Sequence, residues 1–91
     1  MSVTVRVPTT LRTLTAGASE VEVEGATVSA VLESLESAHP GFKDRLLDAD
    51  GSLRRFVNLY VADDDVRFRD GLDTAVEDGA TVSIIPAVAG G

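Results

Sequence analysis

The stretch Glu20-Val21-Glu22-Val23-Glu24-Gly25-Ala26-Thr27-Val28-Ser29-Ala30-Val31-Leu32-Glu33-Ser34-Leu35 contains a change of hydrophobic period. Up to Glu24, valine and glutamate alternate, which predicts a strand with Val21 and Val23 facing inward and the glutamates facing water. Gly25 ends that run. Beyond it Val28, Val31, Leu32 and Leu35 fall at i, i+3, i+4 and i+7, one apolar stripe on a helix, with Ser29, Glu33, Glu36 and Ser37 off the stripe. Thr27 stands where an N-cap belongs, and Pro40-Gly41 stops the helix, so a single main helix is predicted over 28–38.

Upstream, Val3-Thr4-Val5-Arg6-Val7 alternates in the same way and Pro8 ends it. With Leu11–Gly17 read as a turn, the two alternating runs form the arms of a hairpin. Downstream, Lys43–Leu47 reads as a short helical turn followed by a loop at Asp50-Gly51. Arg54–Val61 is the longest strand and is apolar on both faces, with Val57, Leu59 and Val61 on one side and Phe56 and Tyr60 on the other. A strand of that kind is central, or keeps one face for a partner. Asp63-Asp64-Asp65 reads as a turn, Val66-Arg67-Phe68 as a brief strand, Leu72–Val76 as loosely packed, and Thr81–Pro86 as the last strand. This order gives an α+β roll, a mixed sheet of four or five strands under one helix, with the long strand expected beside the first. The expected core is Val5, Val7, Val21, Val23, Val28, Val31, Leu32, Leu35, Val57, Leu59, Val82 and Ile84.

The chain has 91 residues, room for one core. It has no Cys, which excludes disulfides and thiolate metal sites, and one His, His39, which excludes a His-rich site. His39 sits at the end of the predicted helix and receives no catalytic role. The carboxylate rows at Glu20/Glu22/Glu24 and Asp63–Asp65 would hold a cation only with ligands from other elements; a solvated face and a solvated turn are their ordinary readings. Fifteen acids against eight bases give a net charge of −7. That balance repels phosphate backbones and anionic lipid, so neither nucleic acid nor membrane is an expected partner, while a basic enzyme surface would be attracted. Apolar runs reach only four or five residues, short of the ~20 that span a bilayer, and Met1–Arg6 shows no secretion pattern. The expected location is the cytoplasm.

After Pro86 come Ala87-Val88-Ala89-Gly90-Gly91, with no pairing signal. Residues 1–86 are therefore read as the domain and 87–91 as a flexible tail. Such a segment is either a frayed end or, at about 17 Å when extended, long enough to enter a pocket while the domain stays outside. Gly90 and Gly91 lack a Cβ and would pass a narrow channel. Phe56 and Tyr60 share a strand face, and Ile85 has outward parity on the last strand. Side by side they would make an apolar partner-binding patch at the root of the tail, unless a loop covers them.

The element order, the segments Pro8–Arg12, Arg55–Val61 and Asp65–Phe68, and the ending Pro86-Ala87-Val88-Ala89-Gly90-Gly91 together resemble the ubiquitin-like sulfur carriers of the MoaD/ThiS family, over the whole chain. Within it, the similarity is nearest to the branch that donates sulfur for cysteine synthesis. The resemblance implies a β-grasp fold and a protein co-substrate rather than an enzyme, with no catalytic residue and no bound cofactor or metal. Gly91 would be the adenylation and thiocarboxylate site, with Gly90, Ala89 and Val88 as the tail presenting it. The implied partners are a ubiquitin-activating-like adenylating enzyme using ATP and a sulfur donor, a pyridoxal-phosphate cysteine synthase or other sulfur-inserting enzyme as acceptor, and a zinc metallopeptidase that releases cysteine. Two alternatives stay open: the small subunit of molybdopterin synthase, and a ubiquitin-like protein modifier joined through Gly91. Lys43 is the only lysine, which argues against chains built on the protein itself.

Overall fold

The computed structural model describes residues 2–54 and 57–86. Strand β1 (Ser2–Arg6) and strand β2 (Glu20–Glu24) form the antiparallel hairpin, with Val3 opposite Val23 and Val5 opposite Val21. Helix α1 (Val28–Ala38) and short helix α2 (Phe42–Leu46) follow. Strands β3 (Val57–Val61), β4 (Asp64–Asp65) and β5 (Thr81–Pro86) complete a five-stranded mixed sheet in the order β2-β1-β5-β3-β4. Strand β5 runs parallel to β1 and antiparallel to β3. Three 3₁₀ segments, Thr9–Thr15, Val66–Phe68 and Gly71–Asp73, lie between strands.

Helix α1 starts where its cap is. The Thr27 hydroxyl accepts the Ala30 N–H at 3.2 Å, filling one of the four amide positions a helix start leaves open. Its stripe of Val28, Val31, Leu32 and Leu35 is buried against the valines of β1 and β2. Gly25 lets the chain pass from β2 to α1 at close range, since a Cβ there would sit 2.7 Å from the Val31 amide nitrogen.

At the other end of α1, the Glu36 carboxylate accepts the N–H groups of Gly41 (3.2 Å) and Lys43 (2.9 Å) and so fixes the corner into α2. These bonds, first the one from Lys43 and then the one from Gly41, hold the Glu36 carboxyl below its ordinary value. The Lys43 ammonium donates to Glu33, and that bond raises its pKa above the usual lysine value. The corner brings Phe42 fully into the core, with the His39 ring edge-on to it at 6.5 Å between centroids.

All expected core residues are buried except Val21, which is half-buried on the edge strand. Val3, Leu11, Phe42, Leu46, Val66 and Val76 join the core as well. Leu11–Gly17 is more than a turn: Thr9–Thr15 is a 3₁₀ helix that buries Leu11 and Thr15, and the Thr15 hydroxyl donates to the Ala18 carbonyl at 2.8 Å. The long strand does not lie beside the first. Strand β3 gives one side to β4 through the Ala62–Asp63 turn, and β5 takes the place between β1 and β3.

Val66–Phe68 is not a strand. Asp64 and Asp65 pair with Val61 and Tyr60 as β4. The Asp65 carboxylate then accepts the Arg67 N–H at 2.9 Å, which turns the chain out of the sheet. Nor is 72–76 loose, for Thr74 and Val76 are buried. The Thr74 hydroxyl accepts the Asp70 N–H at 3.1 Å and donates to the Gly71 carbonyl at 2.7 Å. Gly91, Gly90, Ala89, Val88 and Phe56 lie outside the described residues.

Candidate functional site

Strand β5 leads toward residue 87 from the middle of the sheet. On its core side Val82 and Ile84 are buried, so Thr81, Ser83 and Ile85 take the opposite, outer face by the period of two. Ile85 lies opposite Asn58, and Ser83 opposite Tyr60. Tyr60 and Ile85 are thus diagonal neighbours on one face of adjacent strands, within reach of a long side chain. Ile85 is 47% exposed and Tyr60 half-buried.

A polar group completes this face. Arg67 reaches in from the 3₁₀ turn after β4 and donates to Asn58 Oδ1 at 2.6 Å and to the Arg54 carbonyl at 2.7 Å. One guanidinium thereby ties the approach to β3 to the position opposite Ile85. The sequence reading assigned Asn58 and Arg67 no role; the available signal was an asparagine inside an otherwise apolar strand. On the β1 side of β5, a depression of about 190 Å³ is lined by Arg6, Val7, Pro8, Ser83, Ile84 and Ile85. The end of β5 therefore has an arginine–asparagine pair on one flank and a mainly apolar hollow on the other. Phe68, expected in a strand, is 87% exposed on its 3₁₀ turn.

Among the described residues no three His, Cys, Asp or Glu come together in a way that could hold a metal ion. No described helix is long and apolar enough to cross a membrane. Around the end of β5 the described groups are a phenol, an amide, hydroxyls and paired arginines, with Arg6 held 3.6 Å from Glu20. This surface offers recognition chemistry: apolar area, hydrogen-bond donors and a fixed strand direction.

Comparison with known proteins agrees with that geometry. The chain is 52% identical over 93 aligned residues, all of both chains, to the sulfur carrier protein CysO of Mycobacterium tuberculosis. It is 43% identical over 68 residues, 75% of this chain and 73% of the relative, to small archaeal modifier protein 3 of Haloferax volcanii. Among solved structures it superposes with a TM-score of 0.92, at 53% identity and over 98% of this chain and 99% of the other, on a chain of the Amycolatopsis orientalis BexX/CysO complex. The five-stranded sheet with its one main helix is the ubiquitin-like β-grasp of these carriers. The ThiS family model matches residues 5–91, nearly the whole length, and the chain belongs to the ThiS family.

Proposed function

We propose that this protein is a sulfur carrier that works through the carboxylate of Gly91 and serves cysteine synthesis or the making of another sulfur-containing metabolite. The observation that carries the reading is the full-length 52% identity to the mycobacterial sulfur carrier protein CysO. A carboxylate is a poor acyl donor because its leaving group would be oxide. Adenylation by a partner enzyme joins Gly91 to AMP from ATP and releases pyrophosphate. Hydrosulfide then attacks the acyl carbon, AMP leaves, and Gly91 carries a thiocarboxylate. With a persulfide donor the first product is an acyl disulfide, which a second thiol cleaves while itself leaving as a disulfide. The sequence contains no cysteine that could capture the activated acyl group.

The carrier's own contribution is presentation. Tyr60 and Ile85, with Phe56, form the docking patch; Val88, Ala89, Gly90 and Gly91 form the segment that enters the enzyme. The complex of Amycolatopsis orientalis CysO with BexX supports protein docking as the mode of delivery. The acceptor in this reading is a pyridoxal-phosphate cysteine synthase, with a metallopeptidase releasing cysteine afterwards, and the setting is the cytoplasm. The likeness to an archaeal modifier protein favours a second reading, attachment to other proteins through Gly91.

The test is intact mass after incubation with ATP, sulfide and an adenylating enzyme. Wild type is expected to gain the mass difference of one sulfur replacing one oxygen, and a chain lacking Gly91 to gain nothing while keeping its fold. One residue moves the reacting carbon by about 3.4 Å, and such reactions fall steeply with displacements near 1 Å. Equal loading of both chains would overturn the role of Gly91. A ladder of conjugates on a gel in place of the sulfur shift would support the modifier reading.

A further inference from the structure

We infer that Asn58 is a specificity contact of the outer sheet face, donating its side-chain N–H groups to an acceptor oxygen on the partner enzyme, and that Arg67 is the positioning residue that turns the amide to do so. This role rests on docking of the proposed carrier through that face, and it names the chemistry the face selects. Asn58 is half-buried on β3, opposite Ile85. Its place on the outer face follows from the strand period, since Val57 and Leu59 on either side of it are buried in the core. An amide side chain can be turned either way about its last bond, and the two ways offer opposite chemistry: the oxygen accepts and the nitrogen donates. A guanidinium carries five donors and no acceptor. The atom facing Arg67 must therefore be Oδ1, and the two are bonded at 2.6 Å. The nitrogen, on the other branch of the same planar group, is turned away from Arg67. Among the described residues nothing accepts from that nitrogen, and no side-chain nitrogen or oxygen without a partner is sealed from solvent.

Arg67 can set the amide because it is itself held at both ends. Its backbone N–H donates to the Asp65 carboxylate at 2.9 Å. Its second guanidinium nitrogen donates at 2.7 Å to the Arg54 carbonyl, which also accepts the Val57 N–H at 3.0 Å where the chain enters β3. The guanidinium is planar, so bonds from two of its nitrogens fix its plane as well as its position. Turning Asn58 over would set N–H groups against N–H groups and lose the bond. The face thus carries a donor already oriented, with little rotamer freedom left to lose on binding. Beside it, the Tyr60 hydroxyl can donate or accept and Ile85 does neither. Asn58 then decides between partners. A surface with an oxygen at that point is bonded, whereas an apolar or donor-bearing surface leaves the amide N–H groups unpaired once water is excluded, a loss larger than an ordinary hydrogen bond gains.

Binding of the full chain to the adenylating enzyme, measured by calorimetry without ATP, tests this with two replacements that act differently on Arg67. Asn58→Asp keeps an acceptor for Arg67 but has no donor; Asn58→Leu keeps the face uncharged and apolar and likewise has no donor. Both should weaken binding about ten-fold. Asn58→Asp should do so with a thermal midpoint at or above that of wild type, because Arg67 then faces a carboxylate. Arg67→Leu should weaken binding about three-fold by letting the amide turn, and Arg67→Lys, whose ammonium can still donate to Oδ1, should restore most of that loss. Once Asn58→Leu is present, Arg67→Leu should have no further effect on binding, whereas a purely structural Arg67 would weaken both backgrounds alike. Wild-type affinity in either Asn58 variant would overturn the inference. So would equal effects of Arg67→Leu on the two backgrounds, or a wild-type chain that does not bind the enzyme. A wild-type chain that binds but takes up no sulfur, with both Asn58 variants still weakened, would overturn the role of Gly91 and leave that of Asn58 standing.

Discussion

Residues 2–38 and residues 42–80 contribute to the same core by different means. The first region is mainly periodic: two alternating strands and one capped helix place most of its buried residues by repeat, and only the 3₁₀ segment Thr9–Thr15, which buries Leu11 and Thr15, departs from that pattern among the described residues. Among its described residues the second has two short strands, one five-residue helix and two 3₁₀ turns, held in place by side chains bonded to backbone. Asp48 accepts the N–H groups of Asp50 and Ser52, Asp65 that of Arg67, and Thr74 that of Asp70. Yet this region still buries Phe42, Leu46, Leu59, Val66 and Val76. Periodicity is one way to place a side chain in a core, and a set of specific polar locks is another.

If the two regions are one cooperative unit, truncation in either should unfold both. Phe42→Ala is expected to cost about 3–5 kcal/mol and Leu35→Ala about 2–5 kcal/mol. Each should lower exchange protection across β1 and β3 alike in hydrogen-exchange measurements. Loss of protection confined to 42–80 in Phe42→Ala would break the comparison and make the irregular region a separate, weaker unit. Next in size are the locks. Thr74→Val removes the acceptor for the Asp70 N–H and the donor to Gly71 and should cost about 1–2 kcal/mol by denaturant titration. Thr27→Ala, which removes the cap of the regular helix, should cost about 1 kcal/mol; a larger loss at Thr27 than at Thr74 would invert the claim that locks matter more in the irregular region.

The smallest effect is expected at the junction of the two regions. The folded-state pKa of Glu36 lies below its ordinary value because of the Lys43 and Gly41 amides. Its stabilisation is therefore present above the unfolded-state pKa and is lost as pH falls through the lowered folded-state value. Glu36→Gln should lower the thermal midpoint at neutral pH, and the gap from wild type should close as the solution is acidified below the carboxylate range. A gap that stays constant with pH would remove charge from the account of that corner.

The same division explains what could be read from sequence. Periods of two and 3.6 made β1, β2, α1 and β5 legible, along with Tyr60 and Ile85 on one face. The locks were not legible, because an Asp or Thr in a polar stretch fits many turns, and only the fold decides which amide it meets. That is why the local pattern makes Val66–Phe68 a strand and leaves Leu72–Val76 loose. Arg67 escaped for a related reason: its bonds to Asn58 and Arg54 span 9 and 13 residues of sequence, beyond any local pattern.

The position of β5 has a consequence for how the chain reaches this state. Strands β1 and β3 have no contact along the sheet until β5 lies between them, so the β1–β2 and β3–β4 pairs remain two unjoined hairpins until residues 81–86 have been synthesised. Pairing Thr4 with Thr81 closes nearly the longest loop this chain allows, which makes that step slow relative to hairpin or helix formation. An interrupted chain therefore offers neither a completed outer face nor the strand that leads toward residue 87. Joining of the sheet and completion of the face that carries Tyr60 and Ile85 arrive in the same event.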